Sequence, residues 1–374
     1  MFRPKSAAGS PLNEPAAPRD DGAARRIVLE HGWNSTCYQI LNPGIRHWFS
    51  PAGDAVAGYV RRHKTLVVAG APVCRPERLP AVAREFEAEA RASRLRVCYV
   101  CAEERLGAIY KDSPRHARIV LGAQPVWDPA RWEALAQERR IVRQQLNRAR
   151  NKGVRIARVQ PAEAPRDGEL RACVHDWLAA RPLPPLHFLV EPFALDGVLD
   201  DRLILVARHA EKAVAILVAS PIPARNGYLI EQIARSTTAP NGTTELLIDH
   251  AMRAIAGEGR KYATLGLVAL ADELPGEMNR NPWWMRRLIS LARAHANRFY
   301  NFRGLLQFRR KLGPETWESV YAIVNEPNFT PATFYDLGGA FSGISPALAL
   351  AIGVAKAARQ ETKWMAQRLR RERA

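Results

Sequence analysis

Short apolar runs and helically spaced apolar positions alternate along this chain of 374 residues. In the first half, β-branched runs at 55–60, 65–69 and 97–100 read as strands. The stretch 79–93 places its apolar residues on one helical face. The second half repeats that grammar, with a helix at 169–180, strands at 202–207, 213–220 and 227–233, a helix at 243–258, a strand at 262–267, a helix at 281–296 and a closing strand at 317–324. Two successive strand-strand-helix-strand units predict an α/β (α+β) fold of two similar lobes, each a mixed sheet flanked by helices. No residue-level identity links the halves, so the repeat is architectural.

Between the halves, Asp128-Pro129 opens a helical region. Within 138–152, Arg139, Arg140, Arg143, Arg148, Arg150 and Lys152 surround the apolar Ile141, Val142, Leu146 and Ala149. Gly153 terminates that helix, and 154–159 follows as a strand. Residues 1–25 are rich in Pro, Ala, Gly and charge, lack periodicity, and read as a disordered leader. The expected organisation is therefore a leader at 1–25, an N-terminal lobe at 26–135, a basic connecting helix at 136–153 and a C-terminal lobe at 154–328. An apolar and basic helical tail closes the chain at 329–374. In that tail, 345–358 is apolar and Arg368, Arg370, Arg371 and Arg373 are cationic, a mixture suited to docking on the domain or to lying on an anionic bilayer.

Apolar residues make up 47% of the chain and charged residues 25%, as in an ordinary globular protein, whereas the net charge of +18 is unusual for an enzyme of small metabolites. That balance points to a polyanionic partner. Nucleic acid and an anionic membrane surface both fit it, because Lys and Arg gain from phosphate in either case. The five cysteines argue for a reducing cytoplasm rather than a disulfide framework. Cys98 and Cys101 form a CxxC inside a strand-like run with no second pair at zinc spacing, so no metal is expected. No apolar run reaches the ~20 residues that span a bilayer.

One stretch mixes residue types in a way that suits neither a core strand nor a plain solvated face. Tyr300-Asn301-Phe302-Arg303-Gly304-Leu305 leads through Phe308, Arg309, Arg310, Lys311 and Leu312-Gly313-Pro314 to Trp317 and Tyr321. Arginine forks bind phosphate, and aromatic faces stack on bases or cover acyl chains. A basic amphipathic helix ending in a Gly-Pro turn and a strand accounts for the same spacing. A second stretch, Arg235 to Thr243, is a loop of small residues entering a helix, where backbone N–H groups can face an anion. Pro240-Asn241-Gly242 is equally a good turn before a Thr cap. The loop lacks a Walker pattern and the Gln/Arg-x-x-Gly-x-Gly pattern of an acetyl-CoA loop. His31, His47, His175, His187, His250 and His295 fall in separate contexts without a Ser or Cys at triad spacing. Trp283-Trp284-Met285 beside Arg286-Arg287 fits an acyl pocket or a docked helix.

Five stretches together, in order, resemble the C-terminal synthase domain of the phosphatidylglycerol lysyltransferase family, the multiple peptide resistance factors. They are His31-Gly32-Trp33-Asn34-Ser35 with Tyr38-Gln39-Ile40-Leu41; Val67-Val68-Ala69-Gly70-Ala71-Pro72-Val73; the basic stretch Arg139 to Gly153; Pro240-Asn241-Gly242-Thr243 with Leu246-Leu247, Gly259-Arg260-Lys261-Tyr262 and Leu265-Gly266; and Asn301-Phe302-Arg303-Gly304-Leu305 with Lys311-Leu312-Gly313-Pro314 and Trp317. The resemblance spans about residues 28 to 325, without the membrane flippase half that many members carry.

The resemblance implies tandem GNAT-like (acyl-CoA N-acyltransferase-like) lobes and transfer of an aminoacyl group from charged tRNA to a polar lipid such as phosphatidylglycerol. Aminoacyl-tRNA would be co-substrate, with no further cofactor. Glu231 and Arg235 stand where the family has an acidic residue and a following arginine, although Glu replaces the usual Asp and the arginine is displaced by about one position. With Asn241 and Gly242 they form the implied catalytic set. Arg139, Arg140, Arg143, Arg148, Asn301, Arg303, Arg309, Arg310 and Lys311 would hold tRNA or lipid phosphate. The expected partners are aminoacyl-tRNA, an anionic phospholipid or membrane surface and a separate flippase. The expected place is the cytoplasm, with a peripheral position on the inner face of the membrane left open. An acyl-CoA-dependent acyltransferase and an inactive RNA- or membrane-binding module are the alternatives.

Overall fold

The computed structural model describes residues 20–342 apart from 182–186, 191–193, 198–199, 270, 272, 274–280, 285 and 288–301. Most of the helix expected at 281–296, the tail helix at 345–358 and Asn301 lie outside the described residues.

Among the described residues, the first half contributes α1 (Asp21–His31), β1 (Arg46–Phe49), β2 (Val56–Arg62), β3 (Thr65–Ala69), α2 (Leu79–Ala92), β4 (Arg96–Ala102), α3 (Glu104–Ile109) and β5 (Ala117–Trp127). Then come α4 (Trp132–Glu138), α5 (Arg140–Asn151), β6 (Arg155–Val159), α6 (Gly168–Ala179), β7 (Leu203–His209), β8 (Lys212–Ile222) and β9 (Gly227–Arg235). The chain continues with α7 (Thr243–Gly257), β10 (Tyr262–Thr264), β11 (Val268–Ala269), α8 (Phe302–Lys311), β12 (Thr316–Val324) and α9 (Pro331–Ser342). The α/β class and the GNAT-like build of each half stand: strands run antiparallel up to one parallel pair, β3 with β4 or β9 with β10, whose crossover carries α2 or α7.

The two halves do not keep separate sheets. Twelve described strands form one sheet in the order β1-β2-β3-β4-β12-β5-β10-β9-β8-β7-β6, with β11 also on β5. Each half hands its last strand to the other. β5, from the first half, pairs with β10 of the second. β12, from the second, pairs with β4 of the first. The exchanged strands pair with each other at the centre, from Thr316 opposite Val126 to Val324 opposite Ala117. Strand β5 is buried on both faces, and its reading ARIVLGAQPVW lacks the alternation of a half-exposed strand.

Helix α1 begins inside the stretch expected to be disordered. Asp20 accepts from the Ala23 amide at 2.8 Å, and Ala24, Ile27 and Val28 are buried at helical spacing. The helix expected at 138–152 breaks at Arg139, whose extended backbone (φ −78°, ψ 98°) separates α4 from α5. Helix α5 lies on α7 with Val142, Leu146 and Ala149 buried. The carboxylate of Asp249, fully buried on α7, fixes that contact by accepting from Trp132 Nε1 and the Arg150 guanidinium, both at 3.0 Å, and from Arg253 at 3.2 Å. Three donors offset the cost of taking this carboxylate out of water.

Candidate active site

Two glycines bring three of the sequence motifs together. Gly242, with φ at +92°, is the N-cap of α7. A Cβ there would stand 2.2 Å from the carbonyl oxygen of Gln145 on α5, so only glycine lets the loop and the basic helix touch. Gly313, with φ at +65°, ends α8, and a Cβ there would stand 2.2 Å from Arg139 Nε. Arg139 therefore lies across the Gly313-Pro314 turn. Trp127 Nε1 donates to Leu312 O at 3.2 Å and pins the same turn. At the first turn of α7, Lys311 Nζ pairs with Glu245 and lies 4.7 Å from the Phe308 ring centre.

Arg235 braces the loop that enters α7. Its guanidinium donates to Ala239 O at 2.8 Å and to Asn241 Oδ1 at 3.4 Å. Thr243 Oγ1 donates to Pro240 O at 2.7 Å, tightening the turn. Arg235, Asn241 and Gly242 thus form one unit, next to the first turn of α7 where Glu245 holds Lys311.

Four residues earlier on β9, Glu231 occupies a bulge: Ile230 faces Ala219 and Gln232 faces Val218, leaving Glu231 as the extra residue. Bulges re-aim side chains next to sites. Here the carboxylate is turned toward Arg202, whose Nε lies 2.9 Å from Oε1, and accepts from Gln39 Nε2. Arg202 is itself locked, donating to Ser220 Oγ at 3.0 Å, Ala194 O at 3.3 Å and Asn42 Oδ1 at 3.3 Å, over the Tyr38 ring at 5.2 Å. Tyr38 Oη donates to Asp201 at 2.9 Å, and Arg25 holds Asp201 with two bonds of 2.6 Å. Sequence alone pointed to Glu231 but not to its partners Arg202 and Gln39, nor to Asn42, which accepts from Arg202. A lone arginine opening an otherwise apolar strand was the available signal for Arg202.

The remaining cations are more open. Arg139, Arg140, Arg143 and Arg148 are exposed, and Arg143 donates to Gln137 O. Arg303 and Arg310 are exposed and Arg309 is half-buried; Arg310 pairs with Glu273. The exposed arginines of this face suit a polyanion, whereas Nε and Nη1 of Arg309 are buried.

A second buried network lies where the halves meet. Arg225 donates to Glu318 at 2.6 Å and lies 3.0 Å from Glu103, against the rings of Trp33 (3.8 Å) and Tyr262 (4.5 Å). Ser35 N, in the His-Gly-Trp-Asn-Ser motif, donates to Glu103. Burial pushes the Glu103 carboxyl up, while Arg225 opposes that shift.

The structure also contains a Ser-His-Glu relay that sequence spacing did not suggest. Ser113 Oγ is 2.7 Å from His116 Nδ1, and His116 Nε2 is 3.0 Å from the buried Glu87, which also accepts from Tyr99 and Tyr110. Its surroundings are those of a turn rather than an acyl-transfer centre. The Ser113 amide is spent on Tyr110 O, and the next residue, Pro114, has no N–H to face an oxyanion. Cys98 and Cys101 are buried in β4, and among the described residues no group of three or more His, Cys, Asp or Glu is placed to hold a metal.

Two GNAT-like halves sharing one mixed sheet, with a helix N-terminus facing a cationic helix, make a transferase-type α/β domain. The sequence pattern of the family described as phosphatidylglycerol lysyltransferase, C-terminal, matches residues 25–324. The chain belongs to that family. It is 28% identical over 242 residues to an MprF-like domain protein of Mycobacterium tuberculosis, a match that takes in 62% of this chain and 49% of the relative. The chain thus spans about half of that relative. The fold is shared with the C-terminal domain of a protein described as a lysylphosphatidylglycerol synthetase from Agrobacterium fabrum (TM-score 0.73, 23% identity, 87% of this chain and 97% of that one). It is likewise shared with L-PGS from Bacillus licheniformis (TM-score 0.71, 21% identity, 88% and 99%). Among the described residues no helix is long and apolar enough to cross a membrane.

Proposed function

We propose that this chain transfers an aminoacyl group, of lysyl type, from charged tRNA to a hydroxyl of a polar lipid such as phosphatidylglycerol. The observation that carries the reading is the convergence, at Gly242 and Gly313, of the cationic helix α5, the N-terminus of α7 and the end of α8, close in sequence to a buried carboxylate at Glu231.

The chemistry is exchange of one ester for another, so it needs little driving force beyond positioning. The lipid hydroxyl attacks the aminoacyl carbonyl, its proton leaves to a base, and the ribose oxygen departs with a proton. Glu231, held by Arg202 and Gln39, is the group that accepts the hydroxyl proton or holds the amino acid's ammonium. The Thr244 and Glu245 amides in the first turn of α7 face the developing oxyanion, the Thr243 N–H being donated to Pro240 O. Arg139, Arg140, Arg143 and Arg148 contact the tRNA backbone, and Arg303, Arg309, Arg310 and Lys311 hold lipid or tRNA phosphate. On this reading the protein works in the cytoplasm at the inner membrane face.

The test is transfer of radiolabel from mixed aminoacyl-tRNAs to vesicles containing phosphatidylglycerol, with and without RNase. Label in an extracted lipid that RNase abolishes supports the reading and names the amino acid. No labelled lipid, with stabilisation of the chain by CoA instead, would favour an acyl-CoA-dependent acyltransferase. Binding of charged tRNA or vesicles without turnover would leave a binding module.

A further inference from the structure

A cleft opens in the first half, lined by residues between Arg26 and Arg78 and none of the loop at Gly242. It measures about 470 Å³, between α1, the loop before β2 and the turn before α2, and is lined by the cations Arg26, Arg75 and Arg78, by His31, and by two carboxylates, Glu30 beside His31 and Asp54 on Arg78. That volume falls within the roughly 300–1,000 Å³ typical of small-molecule sites. A small cavity of about 20 Å³, also lined by His31, adjoins it and has Trp33 and Arg105 in its wall. It has room for about one water or one oxygen of an anion.

The cations around these cavities are unequal. Arg78 is held by Asp54 at 3.0 Å. Among the described residues, no carboxylate pairs with Arg26, Arg75 or Arg105. Arg105 is the informative one. It is half-buried and stacked at 4.3 Å over Trp33, whose ring also carries Arg225 at 3.8 Å. Arg225 is paired with Glu103 and Glu318, whereas among the described residues no carboxylate oxygen lies within 4.0 Å of an Arg105 nitrogen. A cation that is partly desolvated beside another cation is costly unless an anion completes it. Burial, and then the charge of Arg225, push the Arg105 guanidinium down from its ordinary value, against the weaker opposing pull of Glu103 and Glu77.

We propose that this trough binds a phosphate ester with a small organic group: one phosphate oxygen enters the cavity at Arg105 and Trp33, and the organic group lies in the outer cleft between Arg26 and Arg75. Guanidinium forks suit phosphate oxygens, and the outer cleft is far larger than a bare phosphate needs. The site goes beyond the transfer reading and rests on none of its steps.

The test is calorimetric titration of the full chain with sn-glycerol 3-phosphate and with inorganic phosphate, for the wild type, Arg105→Gln and Arg75→Gln. Sedimentation with vesicles of phosphatidylglycerol or of phosphatidylcholine alone accompanies it. The expected result is glycerol phosphate binding at least threefold tighter than inorganic phosphate, weakened about tenfold in Arg105→Gln and severalfold in Arg75→Gln. Arg75 is exposed, so its variant keeps the test valid should Arg105→Gln fail to fold. Loss of phosphatidylglycerol vesicle binding in both variants assigns the ester to a lipid headgroup; unchanged vesicle binding with weakened glycerol phosphate binding assigns it to a free ester. Absence of binding by the wild type, equal binding of the two anions, or wild-type affinity in the variants would overturn the proposal. A chain that binds the ester but transfers no aminoacyl group retains this site and loses the other reading.

Discussion

Arg202 Nε lies 2.9 Å from Glu231 Oε1, and both side chains are nearly out of solvent, 2% and 10% exposed. Breaking a buried pair by removing one partner strands the other charge, typically at about 3–5 kcal/mol. Arg202→Met is therefore expected to lower unfolding stability by roughly 3 kcal/mol. Glu231→Gln strands Arg202 in turn, but the guanidinium keeps its bonds to Ser220, Ala194 and Asn42 and the site keeps its shape, so this change is expected to cost less. Urea denaturation of the two variants checks this order; equal and small losses would mean that the pair is not closed in solution.

Gly242→Ala meets two obstacles, a left-handed backbone at φ +92° and the Gln145 carbonyl 2.2 Å from the new Cβ. Backbone strain of this kind costs of order 1–3 kcal/mol, and the contact adds to it by pushing α5 off the loop. We expect a loss of at least about 2 kcal/mol in urea unfolding. A neutral Gly242→Ala would mean that the α5–loop contact is looser than described.

Arg140, Arg143 and Arg148 are exposed on α5, so their joint replacement by Gln is expected to shift stability by only about 0.5 kcal/mol per site. The same variant should bind tRNA more weakly, with the slope of log affinity against log salt reduced by roughly 2–3. Filter binding across a salt series measures both. An unchanged slope would make these arginines a solvated face only.

Burial pushes the thiols of Cys74, Cys98 and Cys101 up from an ordinary 9.0 to about 12, and Cys173 to about 11. A proton held more tightly in the folded chain contributes stability that is fully present below the unfolded value and is lost as pH rises through the folded one. Stability from these groups should hold below pH 9 and fall between pH 9 and about 12. All five cysteines are buried, so native protein at neutral pH should resist alkylation until denaturant is added. Rapid labelling of native Cys98 or Cys101 would contradict the described packing of β4.

Local pattern carried much of the fold. The strand expected at 65–69 appears as β3 (Thr65–Ala69), and the helix expected at 79–93 as α2 (Leu79–Ala92), because each was marked by one consistent period and a clear stop. The exchange of β5 and β12 was not legible, since pairing across about 200 residues leaves no period in either strand. The bulge that turns Glu231 toward Arg202 was hidden for a related reason: it is an offset between two strands, visible only once they are paired. The meeting of Gly242 with Gln145 and of Gly313 with Arg139 was signalled only by the glycines themselves, which sequence alone reads as turns.

The central claim is aminoacyl transfer at the α5–α7–α8 site with Glu231 as a working group. The most direct measurement compares wild type and folded Glu231→Gln for label moved from aminoacyl-tRNA into phosphatidylglycerol vesicles. The account predicts RNase-sensitive lipid label with wild type and a rate about 100-fold or more lower in Glu231→Gln. Wild-type rates in the variant, or no lipid label from any aminoacyl-tRNA, would contradict it.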